Sequence, residues 1–285
     1  MKPQSRRVFV KSALLATASL SMTRIAFASP GRPIPVALQL YSVRGDCAKD
    51  FDATLAQVAT LGFDGVEFAG YYHYEGKAKE LRKKLDELKL KAAGTHIGLS
   101  SLTGDALQRT IDFHQAIGCR FLVVPMDASF FHPEKSKVLA ETFNKAAAAL
   151  KPYDMYCGYH NHKPEFNKDG DKTYWDLFAE RTVKEVVLQQ DCGWTKASGL
   201  NPAELVRRYP GRTRTTHLKP TVVEGDSGKK AIFGQDSVDW APVIQACREV
   251  GGTEWFVLEQ EVYPDNRSPM ECTSLSFAAL KKALA

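Results

Sequence analysis

Seven histidines occur in the 285 residues, and two of them, His160 and His162, stand two apart in the run "YHNHKPEF". On an extended chain that spacing puts both imidazoles on one face. Other groups able to do chemistry also close short apolar runs: Asp191 in "QQDCGW", His217 and Lys219 in "THLKP", and Glu259 and Glu261 in "VLEQE". Earlier in the chain come Gln39, Tyr41 and Arg44 in "LQLYSVR", Glu67 and Tyr72 in "GVEFAGYY", and His96 after "AAGT". A His, an Asp, a second His and a Glu make a mixed nitrogen and oxygen donor set. Such a set suits one divalent ion of the Mn, Co, Fe or Zn kind rather than Ca. Buried together without a cation, the two carboxylates would repel each other and lose hydration. The alternative reading of the same residues is a hydrogen-bonded polar plug. A cation ringed by bases suits removal of a proton beside a carbonyl. His162, Lys219 and Glu259 are the candidate bases, with Glu67 a further catalytic candidate. Lys219 serves equally well as a hydrogen-bond donor to a substrate oxygen.

These residues need elements that bring them to one place. Apolar runs alternate with amphipathic ones along the chain: "IPVALQL" then "DFDATLAQVATLG", "DGVEFAG" then "GKAKELRKKLDELKL", "KAAGTHIGL" then "TGDALQRTIDFHQAIG". "RFLVVPM", "MYCGYHNH", "EVVLQQD", "TRTTHLK" and "WFVLEQE" continue the strand series, each followed by a helical stretch. Thr103 is the expected cap of the third helix, Gly62 and Gly118 the expected stops of the first and third, and Asn201-Pro202 the expected start of the sixth. Eight β/α pairs in order predict an α/β fold, a single-domain (β/α)8 TIM barrel. Catalytic groups in such barrels gather at the C-terminal ends of the strands, which is where the residues above fall. The first strand is not followed by a GxGxxG, which argues against a dinucleotide-binding sheet.

Taken together, "LQLYSVR", "GVEFAGYY", "YHNHKPEF", "QQDCGW", "THLKP" and "VLEQE" resemble the sugar phosphate isomerase/epimerase family of xylose isomerase-like TIM barrels. The resemblance covers the chain from Pro35 to the final helix. It implies a divalent metal held by His160, Asp191, His217 and Glu259. It also implies an isomerase or epimerase that works through an enediolate of a keto-sugar. One position departs from the pattern, because many epimerases of the family carry a Glu on strand five where this chain has His160. Either His160 or His162 then supplies the strand-five ligand, and Glu165 in the following loop is a third candidate. The asymmetric His/Glu arrangement also fits a lyase that expels the C1 substituent of a 3-keto-glycoside. Gln39, Tyr41, Arg44, Tyr72, His96, Trp194 and Glu261 are the expected substrate contacts. Tyr41, Tyr72, Trp194 and Phe130 are the aromatics available to cover the apolar face of a sugar.

The N-terminus reads as a twin-arginine export signal: Arg6-Arg7, an apolar stretch Ser12–Met22, then Ala26-Phe27-Ala28 with cleavage after Ala28. This divides the chain into a signal (1–28) and a barrel domain (29–285). It also predicts a periplasmic protein that meets the export machinery and keeps no stable membrane association once cut. The signal holds five bases and no acid, so its removal takes the formal net charge from +5 to zero. The basic balance therefore belongs to targeting. It gives no support to nucleic-acid binding or to the related metal-dependent endonuclease class. Export also weighs against a phosphorylated substrate, as does the lack of a glycine-rich phosphate cradle, so an unphosphorylated sugar or an oxidised glycoside is expected. A periplasmic sugar-binding protein without turnover is the alternative from another class. The six cysteines show no CxxC and no spacing that suggests a disulfide framework. In a bacterial host with the export machinery, intact mass should place the N-terminus of the periplasmic protein at Ser29. The Arg6→Lys, Arg7→Lys double variant should stay as uncut precursor in the cytoplasm.

Overall fold

The computed structural model describes residues 33–285, so the expected export signal lies outside the described residues. Eight parallel strands close into a barrel: β1 Val36–Gln39, β2 Gly65–Phe68, β3 Lys91–His96, β4 Phe121–Val124, β5 Tyr156–His160, β6 Val187–Asp191, β7 Thr215–Leu218 and β8 Trp255–Leu258. Each strand pairs with its sequence neighbours, and β8 pairs with β1 through Val36 and Phe256 to shut the ring. The principal helices, one after each strand, are α1 Phe51–Leu61, α2 Ala78–Leu88, α3 Gly104–Ile117, α4 Lys135–Leu150, α5 Tyr174–Arg181, α6 Pro202–Arg208, α7 Trp240–Ala246 and α8 Pro269–Leu284. The expected TIM barrel is therefore the fold found. No helix among the described residues is long and apolar enough to cross a membrane.

Strand alternation sorts the side chains. In β1, Leu38 packs outward in the main core, while Ala37 joins Ala93 and Val257 in a small apolar cluster. One step further along the inward face stand Gln39, Glu67 and Gln189, all fully buried. The barrel interior is thus apolar at its base and polar above, and the polar layer forms the floor of the site. Outside, the helices cover Val66, Phe68, Phe256 and Leu258 on one side and Leu122, Val124, Tyr159 and Leu188 on the other.

Local signals decide where elements begin and end. Asp50 caps α1 by accepting from Ala53 N, and Gly62 ends it in the left-handed region. Gly118 ends α3 in the same way, and Asn201 with Pro202 starts α6 as expected. Thr103 does occupy the cap position of α3, but its hydroxyl donates to Ser100 O and caps nothing. Strand ends are shorter than the apolar runs suggest. β5 stops at His160, so His162 lies in the loop beyond it, and β8 stops at Leu258, just before Glu259. A small hairpin, Lys168–Asp169 with Lys172–Thr173, turns on Gly170 in "KDGDK". That Asp-Gly signal is legible in the sequence and absent from the strand pattern above.

Close approach at Gly193 joins the site's two halves. A β-carbon there would lie 2.5 Å from the carbonyl oxygen of Lys219, so only glycine lets the short helix Cys192–Ala197 press against the end of β7. Backbone on one side and a packed helix on the other leave no room to yield. Gly193→Ala should therefore cost about 1–3 kcal/mol. That should lower the melting temperature by roughly 2–4 °C per kcal/mol in calorimetry.

Candidate active site

Pairing register places the reactive groups. Gln39 lies opposite Glu67, His160 opposite Gln189, and Asp191 opposite His217. Neighbouring staves thereby present inward-facing polar residues at matching heights. Gly94 helps at the base, since a β-carbon there would meet Glu67 Oε1 at 2.9 Å. Its absence leaves room for the Glu67 carboxylate to lie across the lumen.

Glu67 is the hub of the floor. Its carboxylate accepts from Gln39 Nε2 at 3.0 Å and from Gln189 Nε2 at 2.7 Å, and it lies 2.6 Å from His217 Nε2. His217 Nδ1 lies 2.8 Å from Glu259 Oε2 on its other side. Burial opposes a charge on His217, but the flanking Glu67 and Glu259 outweigh it and hold the imidazole up at about 10. Because Gln189 spends its amide nitrogen on Glu67 and Thr215, its Oε1 faces two imidazoles, His96 Nε2 at 2.8 Å and His160 Nδ1 at 3.0 Å. Those bonds set the tautomers. His160 carries its proton on Nδ1 and turns the Nε2 lone pair toward Asp191, 3.9 Å away. Burial, reinforced by the neighbouring cationic groups, drives the His160 pKa well down and keeps the ring neutral.

Asp191 faces the same centre. Its Oδ1 accepts from Trp194 N at 2.7 Å, and its backbone N–H donates to Asn161 Oδ1. Its Oδ2 is buried without any hydrogen-bond partner. Ligand atoms of His160, Asp191, His217 and Glu259 all lie within 4.8 Å of one another. Two imidazoles and two carboxylates, one of them with an unpartnered oxygen, fit one divalent cation, which would take the place of the proton that Glu67 and Glu259 hold on His217. Burial pushes the Asp191 carboxyl up, while Lys219 and His217 pull Glu259 down in spite of its burial. A cation at the centre would stabilise both as carboxylates.

His162 and Lys219 stand beside this cluster, both close to Trp194. The His162 ring lies 5.0 Å from that of His160 and 5.8 Å from that of Trp194, and its Nδ1 is buried without a partner. Burial, then the charge of Lys219, pulls its pKa down to about 4. Lys219 Nζ sits 4.4 Å over the Trp194 ring, 4.0 Å from Asp191 Oδ2 and in an ion pair with Glu261. Burial opposes its charge, but Asp191, Glu259 and Glu261 raise its pKa above the ordinary value.

The expected residues therefore divide into groups. His160, Asp191, His217, Glu259, Glu67, His96, Gln39, Lys219, Glu261, Trp194 and His162 form one contiguous site. Tyr41, Arg44 and Tyr72 lie on the rim and hold one another: the Arg44 guanidinium stacks 4.2 Å over Tyr41, and Tyr72 donates to Arg44 O. Glu165 is not in the cluster. Its Oε2 accepts from His162 N at 2.8 Å, which makes it a brace for the loop. Nor does Phe130 face the site, since it is buried in a stack with Tyr159, 4.2 Å between centroids. Gln189 and Asn161 are central and were missed, because amides give no titration or ligand signature in a sequence. The inward alternation of Gln189 with Asp191 was the available clue.

A family model for xylose isomerase-like TIM barrels matches residues 55–282. The chain belongs to the xylose isomerase-like TIM barrel family. It is similar to the inosose dehydratase of Clostridium botulinum (strain Alaska E43 / Type E3), 25% identical, with 78% of this chain and 85% of that protein covered. In fold it is similar to a sugar phosphate isomerase/epimerase from Parabacteroides distasonis ATCC 8503, at a TM-score of 0.73 and 22% identity, covering 89% of this chain and 98% of the other. An L-ribulose 3-epimerase structure matches at a TM-score of 0.68 and 15% identity, over 88% and 94%. Metal-stripped protein titrated with Mn²⁺ in a calorimeter should bind one equivalent, and Asp191→Ala or His217→Ala should abolish it. Glu67→Gln, which leaves all four donors in place but disturbs the acceptor of His217 Nε2, should weaken binding about 10–100-fold.

Proposed function

We propose that this protein is a divalent-metal-dependent enzyme acting on a keto-sugar. In this reading it removes the proton beside the carbonyl and expels an oxygen substituent from the next carbon, so that it is a lyase of the oxidised-glycoside kind. The observation that carries the reading is the placement of two different groups near Trp194 and the donor set: His162, whose buried Nδ1 has no partner, and Lys219, whose Nζ lies over the Trp194 ring 4.0 Å from Asp191 Oδ2.

His160, Asp191, His217 and Glu259 would hold the cation, and when bound it would draw negative charge onto the carbonyl oxygen and make the adjacent C–H acidic. His162 takes that proton. The freed electron pair becomes the new C=C bond as the C–O bond on the neighbouring carbon breaks, and Lys219 hands its proton to the departing oxygen. The products are an unsaturated ketone and an alcohol; from a 3-keto-glycoside that alcohol is the aglycone. Gln189 and Glu67 keep the imidazoles turned, and Trp194 offers a flat apolar face beside the reacting carbons.

Epimerisation, the reaction first expected from the family resemblance, needs a second base on the opposite face of the carbon. At strand five this chain offers His160, whose Nδ1 is bonded to Gln189, and the nearby Glu165 is occupied by His162 N. A one-base elimination suits this arrangement better. The dehydratase named among the relatives, which by its name removes water from inosose, supports the same reaction class.

Metal-loaded protein incubated with a 3-keto-glucoside in deuterated buffer should release aglycone. His162→Gln should slow release by about 10²–10⁴-fold. A pure sugar-binding protein would release no aglycone and exchange no C–H with solvent, and that result would end this reading.

A further inference from the structure

Beyond Lys219 the chain runs for some twenty residues to α7 with no regular element, and this segment forms a fixed wall. Gln260 Nε2 donates to Ala231 O at 2.6 Å, Phe233 N donates to Ser276 Oγ at 3.1 Å, and Ser276 Oγ donates to Gln260 Oε1. Asp236 accepts from Thr221 N and from Trp240 Nε1. Long segments without secondary structure in compact domains are usually functional. This one, together with the loop after β8, encloses a groove of about 470 Å³ that no residue of the reaction above uses. Val222, Ala231, Val262 and Pro264 give it apolar walls. Thr221 on one wall lies two residues after Lys219 and Val262 on the other directly follows Glu261, so the Lys219–Glu261 ion pair joins the two loops at the point from which they run on to line the groove.

The charged groups lining the groove are already paired: Lys230 with Asp265 at 2.7 Å, and Lys229 with Asp226 at 2.9 Å. Nothing there calls for an ionic occupant. Val222 and Val262 both line the groove and stand 40% and 58% exposed, which gives it an apolar surface open to solvent. The volume lies in the range of small-molecule sites and holds one ring with its substituents.

The geometry points to a leaving-group subsite: the groove between Val222 and Val262 binds the neutral, ring-bearing aglycone that Lys219 protonates as it departs. The occupant has an uncharged flat face, the chemistry shared by an aryl group and the apolar side of a pyranose. This inference rests on the elimination reading and adds a substrate class to it: glycosides with a bulky neutral aglycone rather than small alkyl ones.

The test uses metal-loaded full-length protein, Val222→Asp and Val262→Asp. Both positions are exposed and neither belongs to the reacting groups. Substrates are the 3-keto forms of phenyl β-glucoside, cellobiose and methyl β-glucoside. Wild type should favour the ring-bearing substrates over the methyl one in kcat/KM, and each variant should reduce that preference about tenfold while leaving the methyl substrate unchanged. A preference confined to phenyl glucoside, or to cellobiose, identifies the source of the ring. Variants that affect all three substrates equally, or none, overturn the subsite. Saturation-transfer NMR on unoxidised phenyl β-glucoside separates the two ideas. Ring signals present in wild type and lost in the variants support the groove even where no keto substrate turns over, which would sink only the elimination reading. Ring signals that persist in the variants reject the groove.

Discussion

His217, held between Glu67 beneath it and Glu259 above, is the interaction on which the rest of the site depends. An imidazole with a carboxylate on each nitrogen cannot rotate, and inside a barrel it has nowhere to move. Its position fixes where Glu259 points and, through Glu67, where Gln189 points. Gln189 then fixes His96 and His160. The result is a chain of orientation running from β7 through β2 and β6 to β5, each link a buried hydrogen bond between staves. In a low-dielectric interior such links are strong when every partner is present and costly when one is missing. Within this array Asp191 Oδ2 has no hydrogen-bond partner, and it belongs to a donor set that could hold a cation.

The apolar base and polar upper layers of the lumen share out the work. Ala37, Ala93 and Val257 fill the bottom with small and branched groups, which stabilises the barrel and excludes water from below. Above them the interior is given over to amides, imidazoles and carboxylates, none of which adds much by hydrophobic burial. Stability comes instead from the outward faces of the same strands, where Leu38, Phe68, Phe256 and Leu258 pack under the helices. A residue two positions along a strand therefore changes from scaffold to reagent without any change of backbone.

Much of this was visible in the chain itself. Alternation of strand and helix signals predicted the barrel, and polar residues closing apolar runs predicted which side chains meet. Strand length was less legible, because apolar residues continue past the last ladder bond. His162 and Glu259 each read as strand residues and each lies beyond a strand end, which is what allows them to lean over the cluster. Glu165 illustrates a second limit. Its distance from His160 suggested a ligand, but a carboxylate three residues after a loop N–H finds that donor first, and the local bond wins. Gln189 illustrates a third: its role is to arrange other groups, and a residue that acts only through its neighbours has no pattern of its own.

All six cysteines are buried, unpaired and separate from the reacting groups. Burial raises the pKa of each thiol, which leaves little thiolate to react. A barrel built this way needs no oxidant to reach its native state, and its buried thiols are poorly placed to react with one. A fold that needs no disulfide is compatible with a reducing compartment and with an oxidising one alike.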